Sequence, residues 1–347
     1  MSSEPLDSHE YDSDGDDEAR LISDQRTEED YFQAVPDTSP HLVEIAPDEF
    51  PLYFSERDGR LFHSHPSSPY PLPADTPEQQ RLNVVHGTLN RLIGANYVGP
   101  VPDALAQDAA RQKIVLDLCT GTGKWVMDMA REFPHVLFRG LDIVPIATRY
   151  PLPNVQFEVH DVNDQYRWGD SSVDFVHARS ISMAVRDYPT VLQEVGRILR
   201  PDGLFVSYEW GRHPAFHPDI AAHPPSHIPG VCRFFDVLTK ALEACRGIHP
   251  LAPHVPMFLR DSGLFKDITP ARFYMPIGPW RPEPEMKLLG RAFRASMLRY
   301  ADSVRPLLIE AGWEEEELAE IIGGYVHELK TVRGMVSVLY TVHGQRQ

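Results

Sequence analysis

Residues 115–125 read VLDLCTGTGKW, and this stretch decides the fold. An apolar run ends at Leu118, a turn with glycines at positions 121 and 123 follows, and the pattern from Lys124 onward is helical. Glycines leave the backbone bare where a ligand can approach, and the N–H groups at the start of a helix point toward that ligand. The stretch therefore predicts a strand, a ligand-binding turn and a helix in succession.

Asp142 adds a second element to this site. It lies nineteen residues after Gly123, at the end of the next predicted strand, where a carboxylate can accept hydrogen bonds from the ribose hydroxyls of a nucleoside. Two other nucleotide patterns fail. The dinucleotide-binding Gly-x-Gly-x-x-Gly needs a glycine where Val126 stands, and the phosphate-binding loop needs Ser or Thr where Trp125 stands.

Strand and helix patterns alternate between residues 95 and 210, which predicts a doubly wound, mostly parallel α/β sheet covered on both faces. Before it, the spacing of apolar residues predicts a helix over 76–93, with Thr76 as N-cap and Gly94 as its stop. After it, helices are expected at 231–246, 285–304 and 314–330, and Met335–Val342 alternates like an edge strand. We therefore expect a helical cap at about 211–330, inserted before the sheet closes.

The charge is unevenly distributed. Residues 1–60 hold 18 acidic and 4 basic residues, so they carry −14 of the formal net charge of −17. We predict a disordered acidic tail over 1–50, a covering segment over 51–110 and the ligand-binding domain over 111–347. A body without a basic surplus argues against nucleic-acid binding, and the sequence contains no apolar run long enough to span a membrane. The acidic tail has two alternative roles: it binds a protein partner, or it keeps the protein in solution.

The pattern Asp-Leu-x-x-Gly-Thr-Gly over residues 117–123 resembles the first motif of class I S-adenosylmethionine-dependent methyltransferases. The resemblance continues in order through residues 140–143, 157–162, 172–179 and 199–204. It implies a Rossmann-like sheet of seven strands and S-adenosylmethionine as cofactor. The cofactor-binding residues that it implies are Asp117, Cys119, Thr120, Gly121, Gly123, Asp142, Ile143, Asp161, Val162, His177 and Arg179. Cys119 stands where many members have glycine, which the turn tolerates if φ is negative there.

The flanking segments narrow the resemblance. Residues 60–63, 70–75, 275–280 and 312–313 are similar to the fungal LaeA-like methyltransferases. That family, as the resemblance implies, contains regulators of secondary metabolism and enzymes that methylate fungal small molecules. The likeness covers about residues 55–343 and leaves the acidic tail outside.

Candidate catalytic residues lie at the ends of the fourth and fifth predicted strands, where open α/β sheets bind ligands. His177 is a candidate general base, with a buried strand histidine as the alternative. Glu209 is a second candidate, with a capping or ion-paired carboxylate as the alternative. The histidines at 213, 217, 223 and 227 are interrupted by prolines, so they predict no metal site.

Two functions follow from these observations. The first is an enzyme that O-methylates a hydrophobic small-molecule intermediate of fungal secondary metabolism. The alternative is a LaeA-like regulatory methyltransferase that acts in nuclear protein complexes to control metabolite genes. The N-terminal region contains no run of Lys or Arg that would direct nuclear import. We therefore favour the enzyme and a cytoplasmic location, with the nucleus as the alternative.

Overall fold

The strand, turn and helix at residues 115–125 are present in a computed structural model of the chain, which describes residues 42–347. The predicted tail therefore lies mostly outside the described residues. Within residues 42–50, a turn at 47–49 leads into a 3₁₀ helix at Phe50–Tyr53.

The described chain alternates strands and helices. In order, the strands are β1 (Phe54–Arg57), β2 (Arg60–His63), β3 (Ile114–Leu118), β4 (Leu137–Asp142), β5 (Val155–Val159), β6 (Val173–Arg179), β7 (Leu199–Trp210), β8 (Ala215–Phe216), β9 (Phe265–Pro276) and β10 (Met335–Arg346). The helices are α1 (Thr76–Ile93), α2 (Val101–Ala104), α3 (Lys124–Glu132), α4 (Tyr188–Ile198), α5 (Pro224–His227), α6 (Pro229–Arg246), α7 (Val255–Ser262), α8 (Pro284–Glu310) and α9 (Glu315–Thr331), with a second 3₁₀ turn at Ala252–His254.

The main sheet has the strand order β5-β4-β3-β6-β7-β10-β9. The first five strands are parallel, and β10 runs antiparallel to both β7 and β9. β3 and β6 are buried along nearly their whole length, as expected for parallel strands that helices cover on both faces. This confirms the predicted doubly wound, seven-stranded Rossmann-like sheet, to which β8 adds two residues beside the start of β10.

One sequence prediction at the C-terminal end was wrong. The run Met335–Val342 is an internal strand rather than an edge strand, because β9 pairs with it on the side away from β7. β9 itself lies within the range predicted as a helical cap. Its sequence, FKDITPARFYMP, is exposed from Lys266 to Arg272 except at Ile268, and it contains prolines. Edge strands tolerate such residues because one side of their backbone needs no partner.

Helix α1 lies over the carboxyl ends of the parallel strands and packs against α8. The helix begins with Asp75 as its N-cap, not Thr76, since the Asp75 carboxylate accepts a hydrogen bond from the Glu78 N–H. Gly94, with φ of 78°, ends it as predicted. A buried pair ties α1 to α8: Ser303 Oγ donates to Glu78 Oε2 at 2.6 Å.

Gly290 provides a test of how closely α8 is packed. A Cβ at this position would lie 2.2 Å from the carbonyl oxygen of Gly278, so Gly290→Ala must displace the helix or the loop. We expect the free energy of unfolding to fall by about 1–3 kcal/mol, as overpacked substitutions typically cost. Urea denaturation followed by circular dichroism measures this change.

The matched control is Gly323→Ala in α9, where nothing lies within 4 Å of the added Cβ. Replacing a glycine inside a helix by alanine should stabilise the protein by roughly 0.5–1 kcal/mol. Equal stability of the two variants would contradict the close packing of α8.

Candidate active site

The turn after β3 is held in the left-handed region of backbone conformation. Gly123 has φ of 74°, and a Cβ there would lie 2.5 Å from the Phe157 ring, so packing and backbone both require glycine. Cys119 has φ of 55°, so the condition of a negative φ is not met. A non-glycine residue in this region costs on the order of 1–2 kcal/mol. The protein therefore holds a strained residue at the predicted ligand turn.

Asp142 ends β4 opposite this turn. Its Oδ2 accepts the Gly121 N–H at 2.8 Å, and its Oδ1 accepts the Val144 N–H at 3.3 Å. Burial raises the pKa of the Asp142 carboxyl to about 6, although these backbone donors lower it. A carboxylate has about four lone-pair positions. The carboxylate therefore keeps acceptor capacity for a ligand.

A cavity of about 260 Å³ lies at the carboxyl ends of the parallel strands, between the turn after β3 and helices α1 and α8. Most of the residues predicted to bind the cofactor line it, namely Asp117, Cys119, Thr120, Gly121, Asp142, Ile143, Val162 and Arg179. Gly123, Asp161 and His177 do not line it. The structure also adds lining residues on α1 and α8, among them Leu82, His86, Phe293 and Tyr300.

Asp161 is buried beside the cavity rather than in its wall. Its Oδ1 accepts hydrogen bonds from Asn163 N and Nδ2, at 2.9 and 2.6 Å. Its Oδ2 is buried and accepts no hydrogen bond within residues 42–347, while His65 Nδ1 and an Arg186 nitrogen lie 3.7 Å away. The assignment of Asp161 to the cofactor stays a prediction.

His177 lies behind Asp117 and is fully buried. Its Nδ1 is 2.6 Å from Asp117 Oδ1, and its ring stacks on the Trp125 indole with centroids 3.6 Å apart. Burial lowers the pKa of His177, which favours a neutral ring that donates its Nδ1–H to the carboxylate. The ring does not line the cavity, which favours the buried-histidine alternative over a general base at His177.

Glu209 does reach the cavity, from the end of β7. Its Oε1 accepts the Ile181 N–H at 2.9 Å and its Oε2 accepts the Ser182 N–H at 3.4 Å, so the carboxyl fixes the turn after β6. Burial raises the pKa of Glu209 to about 7. A carboxyl with this pKa can exchange a proton near neutral pH.

Arg179 brings a guanidinium to the cavity at the end of β6. One of its nitrogens lies 3.1 Å from His86 Nδ1, and His86 Nε2 lies 2.8 Å from Asp128 Oδ2. Burial lowers the pKa of His86, so the neutral ring accepts from Arg179 and donates to Asp128. These two hydrogen bonds hold the Arg179 guanidinium in place without neutralising its charge.

Neither a metal site nor a membrane-spanning segment is found in the described chain. Over residues 42–347, no three His, Cys, Asp or Glu side chains are grouped so that they could hold a metal ion. In the same range, no helix combines the length and apolar character that crossing a bilayer requires.

Comparison with known proteins matches residues 94–261 to a family model described as a methyltransferase domain. The chain is 30% identical over 296 residues to the secondary metabolism regulator laeA of Coprinopsis cinerea, and the match covers 83% of this chain and 72% of that protein. The chain belongs to the LaeA-like methyltransferases. The methyltransferase pytC of Aspergillus terreus is 28% identical over 279 residues, covering 79% of this chain and 82% of that protein.

Solved structures align at lower similarity. The geranyl diphosphate C-methyltransferase from Streptomyces coelicolor is 15% identical, with a TM-score of 0.42, covering 86% of this chain and 97% of that chain. The phosphoethanolamine N-methyltransferase 2 of Haemonchus contortus is 16% identical, with a TM-score of 0.41, covering 76% and 57%.

As a LaeA-like class I methyltransferase of fungal secondary metabolism, the protein uses S-adenosylmethionine as methyl donor, and its residues fit this cofactor. Asp142 retains acceptor capacity for ribose hydroxyls, and Ile143 and Val162 offer apolar surface for a base. The Arg179 guanidinium hydrogen-bonds to the neutral His86 ring rather than to a carboxylate, so it suits a carboxylate of the ligand. Thr120 Oγ1, in the cavity wall, is buried and has no hydrogen-bond partner within the described residues.

We expect Asp142→Asn to weaken binding of S-adenosylhomocysteine about ten-fold or more, since a hydrogen bond to a charged group contributes about 1.5–3 kcal/mol. Wild-type affinity should rise as pH increases through about 6, because burial raises the pKa of Asp142 to that value and the ionised carboxylate accepts both hydroxyls. Isothermal titration at pH 5, 6 and 8 measures both effects.

Asp164→Asn, an exposed carboxylate outside the cavity lining, is the matched control and should leave affinity unchanged. If Asp142→Asn binds as the wild type does at pH 8, Asp142 does not hold the ribose.

Proposed function

We propose that this methyltransferase O-methylates a hydrophobic small-molecule intermediate inside the cavity. The observation that carries the proposal is the Glu209 carboxyl, which lies in the same cavity as Asp142 and the glycine turn but close to an apolar region of its wall. That region includes Trp210, Phe293 and Met297. A buried carboxyl beside apolar walls suits a hydroxyl carried by an apolar molecule.

Bound S-adenosylmethionine supplies an electrophilic methyl group on a sulfonium. The chain contributes position, because a displacement needs the acceptor oxygen in line with the methyl carbon and the sulfur, and such orientation can supply roughly 7–11 kcal/mol of the barrier. Glu209 contributes a base. Each of its oxygens accepts one backbone N–H, so the carboxylate is fixed in orientation and retains lone pairs for the acceptor's hydroxyl proton.

The part of the cavity wall formed by α1, α8 and the end of β7 favours an apolar acceptor. The Trp210 and Phe293 rings lie 5.2 Å apart, and the Arg81 guanidinium lies over the Tyr300 ring at 5.3 Å. Arg81 is also paired with the buried Glu78. These contacts join α1, β7 and α8, so packed side chains form this part of the wall of the acceptor region. A molecule held there is shielded from water during transfer.

A second candidate function is a regulatory methyltransferase that acts in nuclear protein complexes to control secondary-metabolite genes. It is favoured by the 30% identical relative, which is named a secondary metabolism regulator. A protein partner bound through the acidic tail would belong to this function, and residues 1–41 of that tail lie outside the described residues.

Deletion of the coding sequence separates the two functions. The enzyme predicts accumulation of an unmethylated compound with unchanged transcripts of the metabolite genes, measured by mass spectrometry and RNA sequencing. Collapsed transcription without a compound lacking one methyl group would contradict the enzyme and support the regulator.

With that compound as substrate, we expect Glu209→Gln to lower kcat about 10²- to 10⁴-fold, the usual contribution of a general base. Wild-type kcat should rise with pH to a plateau above about 7, because burial raises the pKa of Glu209 to that value and the base works when ionised. The variant should lose this rise.

Glu320→Gln, an exposed residue on α9, is the matched control and should keep both kcat and the pH profile. Binding of S-adenosylhomocysteine by isothermal titration should be unchanged in both variants. A Glu209→Gln enzyme with wild-type kcat would rule out the carboxylate as base.

A further inference from the structure

Arg212 places a guanidinium in the cavity beside those of Arg81 and Arg179. It follows β7 by two residues, and the Gly211 N–H between them donates to the Val338 carbonyl at 2.8 Å, which fixes the chain at this point. In the described chain, no hydrogen bond or ion pair joins the Arg212 side chain to another residue. Its charge therefore faces the cavity without a bonded partner.

The neighbouring acids do not neutralise this charge. Glu209, Glu243 and Tyr300 are the acidic groups close enough to act on Arg212 electrostatically. Glu209 is directed to two backbone N–H groups, and Glu243 is 39% exposed and lies 3.4 Å from His249. Burial keeps the Tyr300 hydroxyl protonated by raising its pKa. Burial also lowers the pKa of Arg212, so desolvation outweighs the effect of these neighbours.

The other two arginines that line the cavity differ from Arg212 in their partners or their position. Arg81 forms a bidentate pair with Glu78. Arg179 lies at the end of β6, beside the β3 strand that leads into the glycine turn, and its electrostatic neighbours include Asp117 and Asp128. Arg179 thus lies on the cofactor side, and Arg212 lies on the side of Glu209, Tyr300 and the apolar wall.

We propose that the methyl acceptor carries a carboxylate and that Arg212 binds it, so that the acceptor is a hydrophobic hydroxy acid. The planar guanidinium matches a carboxylate through two parallel hydrogen bonds, and a partly buried charge without a partner favours a ligand that neutralises it. The proposal rests on the proposed function, since it names the substrate class of that same site. Arg212 is then a residue of acceptor specificity, and Glu209, three positions earlier, faces the hydroxyl.

Binding of matched probes to the protein loaded with S-adenosylhomocysteine tests this assignment. The probes are hydroxybenzoic and hydroxynaphthoic acids, each compared with its own primary amide by isothermal titration at pH 7.5. We expect the tightest-binding acid to bind at least ten-fold more tightly than its amide. Arg212→Gln should remove that preference, and Arg212→Lys should retain part of it.

The matched control is Arg233→Gln, because Arg233 is exposed, pairs with Glu320 and lies outside the cavity. It should keep the preference for the acid. Thermal unfolding checks the fold, and Arg212→Gln should unfold at or above the wild-type temperature because it removes an unpaired charge.

Three results would overturn the assignment. They are no preference for any acid over its amide in the wild type, an unchanged preference in Arg212→Gln, and a ten-fold loss of S-adenosylhomocysteine affinity in Arg212→Gln, which would give this guanidinium to the cofactor. Because these experiments measure binding, their outcome does not depend on whether Glu209 acts as the base. An Arg212-dependent preference together with a fully active Glu209→Gln enzyme would refute the base and leave the carboxylate site intact.

Discussion

The site depends on one hydrogen bond, from the Gly121 N–H to the Asp142 carboxylate. It joins the turn after β3 to the end of β4, and backbone bonds continue the connection, from Thr120 N to Leu141 O and from His160 N to Asp142 O, both at 2.7 Å. The ends of three parallel strands are thereby fixed relative to one another. This is the place where open α/β sheets bind ligands, because the loops diverge there and leave a crevice. The positive φ values of Cys119, Gly121 and Gly123 allow the turn to make this contact.

Fixing the strand ends in this way brings buried carboxyl groups together. Asp117, Asp142, Asp161 and Glu209 all lie at this edge of the sheet, and burial disfavours the ionised forms of Asp142 and Glu209. Each is compensated by directed donors: backbone N–H groups for Asp142 and Glu209, Asn163 for Asp161, and His177 for Asp117. For Asp142 and Glu209, burial raises the pKa despite these donors. A carboxyl group with a raised pKa can accept a proton near neutral pH, and such groups cluster at functional sites.

The sequence was most informative where the structure is local. The β3 strand, its glycine turn and α3 are contiguous, so residue spacing predicted them, and the position of Asp142 followed from the next strand end. β9 was missed because an exposed edge strand shows no apolar run, and that omission made β10 look like an edge. His177 was a candidate for catalysis because it lies near the carboxyl end of β6, where ligands bind. Its side chain instead lies behind Asp117, away from the cavity. Arg212 and the α8 wall depend on contacts between segments far apart in sequence, which no local pattern encodes.

The cavity is therefore built in two ways. Its cofactor end consists of strand termini and one turn, whose geometry the sheet dictates, so any large change there would disrupt the fold as well as binding. The proposed acceptor end consists of α1, α8 and the end of β7. Ser303 with Glu78 and Arg81 over Tyr300 join α1 to α8, and Trp210 against Phe293 joins β7 to α8. Side chains on these helices can change without moving the strands, provided that the buried pair is kept. Under the proposed function, the helices and Arg212 would therefore set the identity of the acceptor, while the sheet would place Glu209 and the cofactor for the chemistry.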